Sequence, residues 1–322
     1  MFLHKGKSLG FILIFCLVLL ILVALPFFMD LFYQTFLTEL FVWMLFAISF
    51  DLIFGYTGLL SFGQALFFGL GGYTVTILIQ KLGIGTELAL LLSIAIPLLF
   101  AWFVGFFSVK LTGIHFVIIT IIFALIGNII GETWTDLTGG SDGLTFSPPP
   151  FNLGLFKVNL IDIKGNYYFV LAFVVLSYLF LRRMVQSPLG KVFISIRENE
   201  DRARLIGYNV QRYKLIAFII AGGLSGLAGG LYSLTLKYAA ASYLHWSISG
   251  HAVVYTIVGG MGTLIGPLLG AAIVMSLEHY LVNFLQSTDL VVGIVLVFMV
   301  LVAPRGLVGF IQSKLRRRGP SA

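Results

Sequence analysis

Ser187 to Lys214 reads S-P-L-G-K-V-F-I-S-I-R-E-N-E-D-R-A-R-L-I-G-Y-N-V-Q-R-Y-K. Together with Arg182 and Arg183 this region carries eight basic residues, interleaved with Glu198, Glu200 and Asp201, and the chain on either side is apolar. A charged excursion of this size is longer than a turn and shorter than a domain. It has the dimensions of a docking element for a soluble partner. Pro188 can open a helix at its first turn. Glu198 to Ile206 suits a short amphipathic helix lying across a membrane surface, with Ala203, Leu205 and Ile206 as its apolar patch. Gly207 suits the helix end, with Asn209 as a turn former.

Composition sets the solvent. The 322 residues are 59% hydrophobic and 10% charged, with mean hydropathy +1.04. A soluble domain carries about 25% charged residues, so the exterior of this chain must face lipid. The β-strand alternation of an outer-membrane barrel is absent. The expected fold is therefore all-α: one polytopic transmembrane helical domain over residues 1–322. Cys16, the single cysteine, reads as apolar filler. The run Leu9 to Phe28 follows Lys5 and Lys7 as a signal peptide would. It is too long for such a segment and reads as a retained span.

The net charge of +7 does not point to nucleic acid, because three clusters hold 15 of the 20 basic residues. These are Lys5 and Lys7, the 182–214 loop, and Arg305 with Lys314, Arg316, Arg317 and Arg318. The positive-inside rule places all three in the cytoplasm, and with them both termini. The loop 132–166, with Glu132, Asp136, Asp142 and Asp162 against Lys157 and Lys164, suits the opposite side.

Apolar runs lie at about 9–28, 31–53, 59–80, 88–109, 113–131, 167–181, 214–236, 252–282 and 287–303. Six crossings join the first basic cluster to the second. Three runs remain before the third cluster, and an odd number would strand it outside. One of the three must fail to cross once, and 252–282 is the candidate. It contains G-G-M-G-T-L-I-G-P-L-L-G from Gly259 to Gly270, where Gly260, Gly262, Gly266 and Pro267 weaken a helix. Thr57 to Thr74 is similarly punctuated by Gly58 and Gly63, with Ser61 and Gln64 adding polar groups. Exposed backbone at membrane depth survives only where it is buried in protein or lines a wet cavity. Paired discontinuous helices in two halves indicate a solute path built on an inverted repeat. Ser61, Gln64 and Thr263 are its candidate polar groups. Gly222, Gly226 and Gly230, like Gly262, Gly266 and Gly270, are spaced by four and read as ridges for close helix packing, within the chain or between subunits.

Enzyme-like motifs are weak. Gly6-Lys7-Ser8 lacks the first glycine of a phosphate loop, which would fall at Met1, and no strand precedes it. Gly223-Leu224-Ser225-Gly226 resembles the serine motif of rhomboid proteases, yet His279 and Asn283 follow the serine instead of preceding it. No His, Asp and Glu cluster has metal spacing. Glu39 and Asp51 are expected near interfaces, and His115 just inside a span.

The cytoplasmic loop resembles the ATPase-docking motif of bacterial ABC importer permeases, specifically those for branched-chain amino acids. G-Y-T-G-L-L-S-F-G-Q-A from Gly55, T-G-G-S-D-G-L from Thr138, the Gly259 stretch and A-P-R-G-L from Ala303 resemble that family in its order, over nearly the whole chain. Of its two permease types the chain is similar to the M-type. The resemblance implies a multi-pass protein of the bacterial inner membrane that binds no cofactor itself, ATP being bound by partners. Those partners are ABC ATPase subunits, a second permease subunit and an extracytoplasmic binding protein docking near the Thr138 loop. It implies that Arg197, Glu198, Glu200, Asp201, Arg204 and Gly207 contact the ATPase. Permeases for urea and short amides share the pattern. A secondary carrier working without an ATPase is the alternative from another class.

Overall fold

The computed structural model describes residues 3–152, 154, 157–285, 293, 297 and 306–309. Most of the run 287–303, Ala303–Arg305 of A-P-R-G-L, and the C-terminal basic cluster therefore lie outside the described residues. The described residues are mostly helical, as composition requires. Six described helical stretches are long and apolar enough to cross a bilayer: Leu31–Tyr56, Gln64–Leu82, Thr86–Ser108, Ile114–Thr133, Ile163–Gln186 and Val210–Leu236.

In order, α1 (Leu3–Ala24) leads through a short turn at Pro26 to α2 (Leu31–Asp51), which widens into a single π turn, Leu52–Tyr56. Residues 57–63 are irregular. They are followed by α3 (Gln64–Leu82), α4 (Thr86–Ser108), α5 (Ile114–Thr133) and the single turn α6 (Thr135–Thr138). The following loop holds β1 (Leu144–Thr145), β2 (Phe151–Asn152) and β3 (Lys157–Val158). Next come α7 (Ile163–Gln186), α8 (Pro188–Glu198), α9 (Glu200–Leu205) and α10 (Val210–Leu236). Then β4 (Tyr238–Ala239) pairs antiparallel with β1, and a turn at Ala241–Leu244 precedes α11 (Trp246–Gly259) and α12 (Ile265–Leu285).

The centre is α2, α3 and α10. From Leu40 onward almost every residue of α2 is buried. The backbones of α3 and α10 touch, because a side chain at Gly71 would fall on the Gly226 carbonyl and one at Gly229 on that of Phe68. The ridge Gly222–Gly226–Gly230 lies against Ala101, Pro97 and Ser93 of α4, and Gly266 and Gly270 press α12 onto α11. Both ridges thus serve contacts within the chain. Around this centre, Leu91, Leu99, Phe103, Ile122 and Ile129 are exposed on α4 and α5, a surface that only lipid or another apolar subunit satisfies.

The glycine-rich stretches do interrupt helices. The run 59–80 begins as helix only at Gln64, and 252–282 is broken at 260–264. A third interruption, at 240–245, lies beside mid-span residues. Asn128 donates from Nδ2 to the Ala241 carbonyl at 2.9 Å, and the Leu244 side chain seats against Gly69, Gly127 and Gly131. Two units therefore share a plan, a long helix, an irregular stretch and a returning helix: α2, 57–63, α3 and α10, 237–245, α11. They run in opposite directions through the bundle.

Candidate functional site

Four neighbourhoods carry polar chemistry. The first is the lever formed by α8 and α9. Pro188 stands at the start of α8, as expected. Glu198–Ile206 is not one helix. Asn199 is extended (φ −162°, ψ 105°) and its side chain accepts from the Arg202 N–H, so it caps a separate α9. Gly207 (φ +96°) ends α9 in the left-handed region that glycine tolerates. Asn209 caps α10 by accepting from the Arg212 N–H at 3.1 Å. The expected apolar patch is also divided. Ala203 is buried with Val192, Ile196 and Val210, whereas Leu205 and Ile206 are 87% and 66% exposed. Leu205, two residues from Ala203, points to another side of the helix, and Ile206 lies beyond the last residue of α9. Lys214 is buried in α10 and paired with Glu200 at 2.6 Å, which fixes α9 to the bundle. Glu200 also meets Arg204. Glu198, Asp201, Arg204 and Gly207 are exposed.

The second neighbourhood is a junction where α8 meets two of the helix breaks. The Arg197 guanidinium donates to the Gly55 carbonyl, and the Arg197 stem packs on Gly58. Asp51 accepts from the Gly262 N–H at 2.7 Å and the Leu264 N–H at 3.1 Å. Asp51, expected near an interface, is wholly enclosed by protein. Its neighbours Phe50 and Leu52 mask it in any sequence window. Thr263 donates to the Gly260 carbonyl and accepts from the Gly266 N–H, so it caps α12. Pro267 is buried in the first turn of α12. Gly306, the described glycine of A-P-R-G-L, packs on Gly260.

The third is a cavity of ≈ 480 Å³ at the opposite, 132–166 end of the bundle. Its wall includes Trp43, Asn128, Tyr232, Tyr243 and His245, with Glu132 and Ser141 toward the loop. Ser141 belongs to T-G-G-S-D-G-L, which therefore borders the cavity. That volume is typical of a small-molecule site. Half-buried Glu39 supports the wall, accepting from the Tyr232 hydroxyl at 3.0 Å. The sequence reading missed this site. The available signal was 237–251, a gap between apolar runs with too few charges for a soluble loop.

A buried polar thread begins one residue beyond this wall. Ser49 and Ser225 are hydrogen-bonded at 2.9 Å, and Ser225 donates to Gln64 Oε1 at 2.8 Å. Ser249 donates to the Phe62 carbonyl and accepts from the Ala65 N–H. Ser61 accepts from Gly63 N–H, and the Gln64 Nε2 donor has no partner. The candidate path residues thus fall into two groups. Ser61, Gly63 and Gln64 belong to the thread, and Gly58, Gly260, Gly262, Thr263, Gly266 and Pro267 to the junction. None lines the cavity. Ser225 is hydrogen-bonded to Ser49 and Gln64, and His279 of the protease-like motif packs on Phe32 and Phe36.

A membrane-embedded helical bundle with a cavity toward one face, a polar thread through its middle and a charged lever at the other face defines a permease. The chain belongs to the family described as branched-chain amino acid transport system / permease component, whose model matches residues 32–303. It is 26% identical to the high-affinity branched-chain amino acid transport system permease protein LivM of Salmonella typhimurium, over 94% of this chain and 76% of that protein. It is 25% identical to the probable branched-chain amino acid transport permease protein LivM of Methanocaldococcus jannaschii, over 70% of this chain and 74% of that one. To the LivH permease protein of Escherichia coli it is 24% identical, over 82% and 90%. No solved structure matches.

Proposed function

We propose that this chain is the membrane-spanning subunit of an ATP-driven importer for branched-chain amino acids, in a bacterial inner membrane with its termini in the cytoplasm. It works with separate ABC ATPases, a second permease subunit and an extracytoplasmic binding protein, and binds no cofactor of its own. The observation that carries this reading is Arg197. It sits on the lever yet reaches the backbone at both glycine-rich breaks, so force on α8–α9 arrives where the helices are weakest. Exposed Leu205 and Ile206, ringed by charge, offer the grip. In this arrangement the cavity receives solute, and the Ser49–Ser225–Gln64 thread is the closed part of the path. Nucleotide-driven movement of the lever opens it. The aromatic wall suits an apolar side chain, and polar Asn128, Glu132 and His245 suit a zwitterionic head.

The test is purification with the neighbouring ATPases and binding protein, followed by uptake into proteoliposomes. Leucine uptake that requires ATP supports the reading. Uptake of urea or short amides but not leucine moves the substrate within the family. One observation favours a second reading: Glu39 is an intramembrane carboxylate beside the cavity, the sort of group that proton-coupled carriers use. Uptake by this chain alone, driven by a pH gradient, would establish the carrier instead.

A further inference from the structure

Asp51 is a charged residue with no exposed surface, in the last turn of α2. A buried carboxylate is tolerated only when its oxygens are matched. Both are, and by one strained turn. Oδ1 accepts from the Gly262 N–H (2.7 Å) and Oδ2 from the Leu264 N–H (3.1 Å). Along that turn Gly260, Gly262 and Leu264 have φ of +116°, +73° and +56°. Leu264 is a buried non-glycine residue in the left-handed region, a state that persists only where surroundings impose it. The Arg197 charge acts on the same carboxylate, and its guanidinium lies 2.7 Å from the place a side chain at Gly262 would occupy. One carboxylate thus joins the end of α2, the strained α11–α12 turn and the lever.

We propose that Asp51 is a positioning residue for transport, the latch that makes the α11–α12 turn follow α8. When the lever moves, Arg197 leaves the junction, the carboxylate loses its compensating charge, and its hold on the Gly262 and Leu264 amides changes. The turn then relaxes and carries α11, which lines the cavity at Ser247 and Ile248. This rests on the reading of α8–α9 as an ATPase-docking lever and on no particular solute.

The experiment uses the whole complex in proteoliposomes and measures leucine taken up per ATP hydrolysed. Asp51→Asn keeps the size and removes the charge. The expected result is normal co-purification of the ATPases, ATP hydrolysis near wild type, and leucine per ATP lower by about ten-fold, an ordinary coupling factor. Arg197→Met should also lower leucine per ATP, and Arg197→Lys less. A merely structural role would lower uptake and hydrolysis together, so a parallel loss, or an unchanged ratio, overturns the latch. Leu264→Gly leaves both charges in place and relieves the strain. It too should lower the ratio, and an unchanged ratio there overturns the latch even if Asp51→Asn fails to assemble. Absence of ATPases from the wild-type complex overturns the docking reading, and the latch with it.

Discussion

At Gly55 a methyl group has nowhere to go. It would overlap Asp51 Oδ1 and lie 2.5 Å from the Gly262 nitrogen, and neither can yield without breaking the junction. Gly55→Ala should destabilise the purified protein by about 1–3 kcal/mol, as overpacking does, read as a lowered melting temperature in detergent. Gly223→Ala is the control. Its nearest neighbours would stand 3.6 Å away, and its melting temperature should match wild type. Sequence pattern alone does not say which of the two glycines tolerates a methyl group. What separates them is a contact more than 200 positions away. The same limit explains Asp51. Its residue type was visible, but its matching amides belong to Gly262 and Leu264, and nothing local announces them. Gly207 was readable because positive φ at the end of a helix favours glycine whatever the tertiary partners.

Helices were legible where periodicity and apolar length decide them, and less so where caps compete. Asn199 divided α8 from α9 because its side chain satisfies the Arg202 amide better than a continued helix would. The outcome sets two predictions for this element. Leu205→Asp with Ile206→Asp changes only exposed surface, so stability should stay within about 0.5 kcal/mol. ATPase co-purification should fall at least about ten-fold, because apolar anchors dominate such contacts. Retained co-purification places the grip elsewhere. Glu200→Ala acts differently, for it strands Lys214, whose side chain is only 3% exposed. Leaving a buried charge unpaired costs about 3 kcal/mol. Glu200→Ala with Lys214→Met should recover most of that loss in denaturation of the purified protein. If the double variant is no more stable than the single, the pair is not what holds α9 to α10. The 240–245 interruption was illegible at this scale. It is dictated by the socket of Gly69, Gly127 and Gly131 on α3 and α5, two elements that sequence alone does not bring together.

Across the whole molecule, charge distribution predicts sidedness, and the bundle gives it a geometric form. The lever follows α7 and the 132–166 loop precedes it, so one span of 24 residues separates them. That span is about 36 Å long at 1.5 Å per residue, more than the ~30 Å hydrocarbon core. On the proposed topology the two sites face different compartments, and positive-inside asymmetry predicts the lever on the cytoplasmic side. With Cys16 replaced by serine, the chain has no other cysteine, and single probes become unambiguous. A membrane-impermeant maleimide should label Asp136→Cys in spheroplasts and Leu205→Cys only in inside-out vesicles, both side chains being exposed. Labelling of both from one side would refute the α7 crossing. Labelling in the reverse order would keep the fold but invert it, placing the lever beyond the reach of any cytoplasmic ATPase. The importer mechanism would then fail even though every helix stood where it does now.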